Sequence, residues 1–210
     1  MTYTIRIIIF SFLLSGCSIL SYVSYSEAAP LIRNVVIGAP EIEITKEFFN
    51  EKEYSFAYLR VGRRASAILS LRSISNEGVY EWVSSENEKI FTYNGKVIKT
   101  HGSTYDMAYL NNLDALFSTS DDLILQLSNP HAITEQEVSF SRGDRDVMRY
   151  LDEDIEVQID EELIFTKGFK WKIKNKYFVD VKNGYVIKVT QDIHPKLPIL
   201  TIEYYYKFAD

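Results

Sequence analysis

From Ile32 onward, apolar and polar side chains alternate with a period of two, and turn residues interrupt the alternation about every 8 to 12 positions. Successive side chains of a strand point to opposite faces, so such a chain buries one face of a sheet and wets the other, which directs it to antiparallel β structure. The strands predicted in the first half are residues 54–61, 65–74, 79–85, 89–93 and 96–100, separated by Asn76-Glu77-Gly78 and Tyr93-Asn94-Gly95-Lys96. Asn-Gly at the centre of a two-residue loop supplies the two positive φ angles of a hairpin turn, so residues 54–100 read as a meander. A second meander occupies the C-terminal third. There Ile155, Val157 and Ile159 alternate with Asp154, Glu156, Gln158 and Asp160, and Phe169, Trp171 and Ile173 alternate with Lys170, Lys172 and Lys174. These acidic and basic strand faces are placed to pair across the sheet. Strands at 177–181, 185–192 and 199–208, with the turn Lys182-Asn183-Gly184 and a corner at 195–198, complete it. A composition of 15 Tyr and 12 Phe against 9 Gly suits pleated, half-buried surfaces.

Two stretches depart from this pattern. Thr45 is placed to cap a short helix through Lys46-Glu47-Phe48-Phe49-Asn50-Glu51, with Phe48 and Phe49 folding back on the core. Residues 102–146 are less regular. Met107, Leu110, Leu113 and Phe117 fall near one helical face, a helix is predicted at 112–117, and the apolar run 123–127 ends at Ser128-Asn129-Pro130. The fold class expected is mainly β: antiparallel meanders curled into a single partly open barrel, with one or two short helices. In that barrel Phe56 or Ala57, Leu69, Val83 and Phe91 should be buried with Trp171, Ile173, Val179 and Val186. Asn94-Gly95 and Asn183-Gly184 should lie at exposed hairpin tips.

The N-terminus is built differently. Arg6 is its one charge, and residues 7–14 are apolar except for Ser11, too short a run for a bilayer span of roughly 20 residues. It has the form of a signal-peptide core. Leu14-Ser15-Gly16-Cys17 follows, with small residues just before the only Cys of the chain. This resembles a bacterial lipobox, in which cleavage after Gly16 exposes Cys17 for acylation. An ordinary secretory signal with an incidental Cys, or an uncut anchor helix, would be the plainer accounts, but a lone Cys at that position favours lipidation. Residues 1–16 are thus read as a lipoprotein signal peptide, 17–30 as the lipidated Cys and a flexible tether, and 31–210 as one β-rich domain. Two or three acyl chains give the stable anchoring that one chain cannot. A tether of this length would hold the domain on the order of 20 Å from the lipid. Ser18 in place of Asp after the Cys resembles lipoproteins sorted to the outer membrane.

Charge and chemistry-bearing residues exclude more than they assign. There are 23 basic and 29 acidic residues in the whole chain; loss of Arg6 leaves 22 and 29, a net of −7, and no basic cluster for nucleic acid. One Cys excludes a disulfide framework or a Cys-based zinc site, and no cofactor is expected. Asp152, Glu153, Asp154, Glu156, Asp160, Glu161 and Glu162 are dense enough for paired carboxylates of glycoside hydrolysis, but they read more simply as a solvated strand face with an acidic turn. As a Ca²⁺ site the cluster lacks the Gly and the fixed spacing of an EF-hand loop. His101, His131 and His194 lie apart beside turn residues, as surface or loop histidines do, and neither a G-x-S-x-G nor a P-loop nor a G-x-G-x-x-G occurs. Trp82, Trp171 and the tyrosines are potential sugar platforms, though alternating aromatics in strands are more often core.

Several ordered motifs carry a family resemblance: Tyr54-Ser55-Phe56-Ala57-Tyr58-Leu59-Arg60-Val61-Gly62, Glu81-Trp82-Val83-Ser84-Ser85, Tyr93-Asn94-Gly95-Lys96-Val97-Ile98-Lys99-Thr100, Gly102 with Asp106, and Phe178-Val179-Asp180 before Asn183-Gly184. In this order they resemble the YjbF/GfcB family of group 4 capsule lipoproteins; residues 119–165 carry none of the match. The resemblance implies a barrel-like domain tethered to the outer membrane of a Gram-negative bacterium and facing the periplasm. It would act without catalysis in capsule or exopolysaccharide assembly and export, with other export proteins, and the polysaccharide itself, as partners. It carries over no catalytic residue, only Cys17. The alternatives are a polysaccharide-modifying hydrolase and a lipid or lipoprotein carrier with an apolar concavity. A cleft lined by exposed Tyr or Trp with polar groups would favour sugar, a wide apolar cavity lipid, and a filled interior protein partnership.

Overall fold

Alternation in the sequence becomes alternation in burial. The computed structural model describes residues 43–63, 66–119, 122–168 and 170–208, and residues 1–42, with Gly16, Cys17 and the proposed tether, lie outside them. The first meander supplies β1 (Phe56–Val61), β2 (Ser66–Ile74), β3 (Val79–Val83), β4 (Lys89–Tyr93) and β5 (Lys96–His101). The middle adds β6 (Met107–Tyr109), a 3-10 turn (Asp114–Phe117), β7 (Leu123–Ser128) and β8 (His131–Tyr150). The C-terminal third adds β9 (Glu153–Thr166), β10 (Lys172–Asp180), β11 (Val186–Gln191) and β12 (Leu200–Tyr205). Before them, the expected helix α1 (Lys46–Glu51) starts where Thr45 Oγ1 accepts from Phe48 N at 3.2 Å. The irregular middle is therefore mostly strand: Met107 is buried on β6, Leu110 is exposed, and only 114–117 is helical.

Every strand pairs antiparallel with its sequence neighbour, and β1 pairs with β12, so the expected β-barrel is present and its ring is closed, not partly open. Six consecutive pairs from Phe56↔Tyr205 to Val61↔Leu200 make that closure. A closed ring abolishes the exposed edges of a curled sheet. Inside it Ala57, Leu69, Trp82, Ile90, Val97, Met107, Leu125, Leu127, Tyr177, Val189, Ile202 and Tyr204 pack as one core. Trp82 lies 5.4 Å from the Tyr204 ring and donates to Thr92 Oγ1 at 2.8 Å, and Tyr206 continues the aromatic stack.

On β3 and β4 the buried face is the opposite of the one expected. Phe56, Ala57, Leu69 and Ile173 are buried as expected, whereas Val83 and Phe91 are only half-buried and Trp82, Ile90 and Thr92 point inward. Trp82 and Val83 are both apolar, so either could face inward; Glu81 decides, because it shares a face with Val83 and pairs with Lys89 outside the ring at 2.9 Å. Trp171, Val179 and Val186 are likewise half-buried. Asn183-Gly184 is an exposed tip as expected, but at Asn94-Gly95 only Asn94 is exposed. The tip of the β4–β5 hairpin turns against β11 and β12. There Gly95 has φ +75°, its carbonyl accepts from the Tyr204 hydroxyl at 2.9 Å, and an added Cβ would lie 2.5 Å from Val186 Cγ1. The position therefore tolerates only Gly.

A second, smaller core lies outside the ring. Ile44 and Phe49 pack with Phe56, Tyr58 and Tyr205, and Tyr150 and Leu151, at the tip of the long β8–β9 hairpin, close over them. Tyr150 stacks on Tyr205 at 5.2 Å and donates to Tyr204 O at 2.7 Å, while Lys46 binds both Asp152 and Glu153. β7 pairs only with the first six residues of β8, through Gln136↔Leu123. Beyond that, residues 141–147 of β8 are exposed and carry Arg142, Asp144, Arg145 and Asp146 beside a bulge. Charge and a bulge on an edge oppose unwanted strand pairing.

Candidate functional site

The chemistry-bearing side chains that the fold brings together lie inside the ring. Lys96, the first residue of β5, and Glu162 of β9 are both fully buried, with Nζ and Oε1 2.5 Å apart. Lys96 also donates to Leu116 O at 3.3 Å, and the rings of Tyr109, Phe117 and Phe140 surround it. The second carboxylate oxygen, Glu162 Oε2, accepts from Asn175 Nδ2 at 2.8 Å and from the Tyr177 hydroxyl at 2.7 Å. Gln191 joins this network, donating toward Tyr177 and accepting from Val97 N at 2.7 Å. Burial pushes the Lys96 ammonium below its ordinary range and Glu162 opposes that push; burial and the same carboxylate raise Tyr109 and Tyr177. A buried ion pair with both carboxylate oxygens engaged fixes which strands face one another across the ring. It is sealed from solvent, so it acts on the fold and offers no reacting atom to a substrate.

The acidic run is dispersed among cations. Glu153 meets Lys46, Asp154 meets Arg149, Glu156 meets Arg145, Asp160 meets Arg142, and Glu161 lies between Lys174 and Lys176. Asp154, Glu156 and Asp160 thus pair with arginines of β8 and not, as expected, with the lysines of β10; between β9 and β10 it is Glu161 that meets Lys174 and Lys176. Glu161 is held below the usual carboxylate range, first by its hydrogen bond to Lys174. Glu162 corrects the reading of the run as solvated. It lies in phase with Ile164 and Thr166, both buried, which was the signal available in the sequence. Among the described residues no three His, Cys, Asp or Glu side chains gather as metal ligands would.

His101 and His131 are exposed, but His194 is a loop histidine with no exposed surface, which corrects its surface reading. Its Nδ1 accepts from Lys196 N at 3.1 Å, its Nε2 is buried without a partner among the described residues, and its ring lies 5.1 Å from that of Tyr105. Burial first, then Lys196, lowers its pKa from the ordinary 6.5. A base depressed in the folded state binds fewer protons there than when unfolded, so stability falls as pH drops through 6.5 and levels off below the folded value. Thermal melting should therefore fall more between pH 7.5 and 5.5 in the native protein than in His194→Asn, which keeps an acceptor for Lys196 N. Equal pH dependence in the two would remove this role.

The outer surface offers shallow grooves. One of about 600 Å³ is bordered by Glu137, Ser139, Leu163, Phe165 and Lys172, and another of about 750 Å³ lies under the hairpin tip beside Phe49, Tyr150 and Asp180. Trp82 is fully buried and Trp171 half-buried with Nε1 donating to Asp192 at 3.0 Å, so neither is a free sugar platform.

The model of the family described as group 4 capsule polysaccharide lipoprotein GfcB, YjbF, matches residues 30–205. The match runs through residues 119–165, where no motif had been found. Among solved structures, the hypothetical lipoprotein YmcC from Escherichia coli (K12) is similar in fold, with a TM-score of 0.66 at 18% identity, covering 88% of this chain and 97% of that one. No curated protein sequence matches.

Proposed function

The chain belongs to the group 4 capsule polysaccharide lipoprotein family, and from that membership we infer that it is an outer-membrane lipoprotein assisting capsule or exopolysaccharide assembly and export without catalysis. In this reading cleavage follows Gly16, Cys17 carries the acyl chains, and the barrel faces the periplasm of a Gram-negative bacterium. The observation that carries the mode of action is the filled interior. Trp82, Tyr204, Leu125, Val97 and Ile202 occupy the space that a lipid carrier would keep open, which favours a binding or scaffold role toward proteins of the export system. The engagement of each acid from Glu153 to Glu162 by a cation supports the same role over that of a hydrolase.

Deleting the gene should reduce surface polysaccharide, and the native gene should restore it. Cys17→Ala should release the domain from the membrane fraction and fail to restore the polymer. Intact mass should show loss of residues 1–16 and added acyl chains. Unchanged surface polysaccharide after deletion would remove the pathway assignment, and an uncut chain or an unmodified Cys17 would remove the anchor.

A further inference from the structure

Along β10 the outward positions are Lys172, Lys174, Lys176 and Phe178, alternating with the inward Ile173, Asn175 and Tyr177. Alternate residues on a strand recur at about 6.6 Å, so the ammonium groups form a row rather than a patch. Lysines on a sheet commonly guard an unpaired edge. That explanation does not cover Lys176, which β9 and β11 flank on both sides, whereas Lys172 and Lys174 lie beyond the β11 ladder and pair with β9 alone. Next to the row, Lys188 of β11 stands opposite Phe178, and on β9 Leu163 and Phe165 are about half exposed opposite Lys174 and Lys172. The acids within the face are few: Glu161 serves both Lys174 and Lys176, Glu203 serves Lys188, and Lys172 has no ion pair among the described residues. Four lysines against Glu161, Glu203 and the bordering Glu137 leave a locally positive face on a protein whose net charge is −6. Glu137 borders it on the β8 side, across Phe165.

We propose that the outer face of β9 and β10 binds a polyanionic polysaccharide, its acidic groups along Lys172, Lys174 and Lys176 and its apolar ring faces against Leu163 and Phe165. A row of like charges one strand long, interleaved with exposed apolar side chains, is complementary to a chain that repeats an acidic group and a less polar surface. An anionic membrane would call for a broad basic field, and the carboxylates of Glu161 and Glu137 interrupt this face. The inference rests on the export role proposed above and names the charge class of the polymer and its surface.

The test uses the full lipidated protein in detergent, polygalacturonate as the polyanion, dextran as the neutral comparison and phosphatidylglycerol vesicles as the membrane comparison. Polygalacturonate should bind, more weakly as salt rises, and the variant carrying Lys172→Gln, Lys174→Gln and Lys176→Gln should bind roughly tenfold more weakly. Glu161→Gln removes the competing carboxylate and should strengthen binding by roughly twofold. Equal binding by the native protein and the triple variant, equal binding of dextran, or lysine-dependent binding to vesicles without binding to polygalacturonate would each overturn the proposal. In cells, a triple variant that restores surface polysaccharide as fully as the native gene would also overturn it while leaving the export role standing; a deletion without effect would overturn that role and leave the binding measurement to stand alone.

Discussion

Replacing Lys96 by Met should destabilise the domain by about 3 to 5 kcal/mol, because the Glu162 carboxylate then stays buried without its cation. Glu162→Gln should cost less. Burial already depresses the Lys96 pKa, so the amine can discharge when its countercharge is removed. That variant should also gain stability as pH rises from 7 to 9 relative to the native protein, since a Lys depressed in the folded state binds fewer protons there than in the unfolded chain. Combining Lys96→Met with Glu162→Gln removes both charges, and its cost should fall below the sum of the single costs by roughly 2 kcal/mol. Urea unfolding of the four proteins measures each term. Additive single costs would mean that the two groups do not sense one another, and the assignment of this pair to strand alignment would fail.

Trp82→Ala should cost about 3 to 5 kcal/mol, the range of a large aromatic removed from a packed core. The indole has no exposed surface and touches the Tyr80, Tyr204 and Tyr206 rings, so its loss leaves a void that these aromatics fill only in part. It also removes the indole's hydrogen bond to the Thr92 hydroxyl, itself fully buried. Trp82→Phe retains most of the ring contact and loses the hydrogen bond, for about 1 to 2 kcal/mol. Denaturant midpoints together with near-ultraviolet circular dichroism report both. A Trp82→Ala protein within about 1 kcal/mol of the native one would contradict a filled barrel, and with it the argument for protein partnership over lipid carriage.

What the sequence determined by itself was whatever depends on neighbours along the chain. Period two gave β4 at its observed bounds and placed β1, β2, β3, β5, β11 and β12 within a few residues, because side-chain alternation is a property of the strand itself, whereas 177–181, read as a strand of its own, is the end of β10. Thr45 capped its helix because the cap reaches only three residues ahead. The ordered motifs around Trp82, Asn94-Gly95 and Asn183-Gly184 carried the family. The tertiary structure decided what depends on partners far away in the chain. Val83 or Trp82 could equally have faced inward until Glu81 met Lys89 on the outside. The hairpin tip at Gly95 became interior only because β11 and β12, some ninety residues on, lie against it. Glu162 looked like the end of an acidic run; its partner Lys96 is 66 residues away, and no local pattern links them. Closure of the ring was of the same kind, since β1 and β12 meet only after every intervening strand has added its twist.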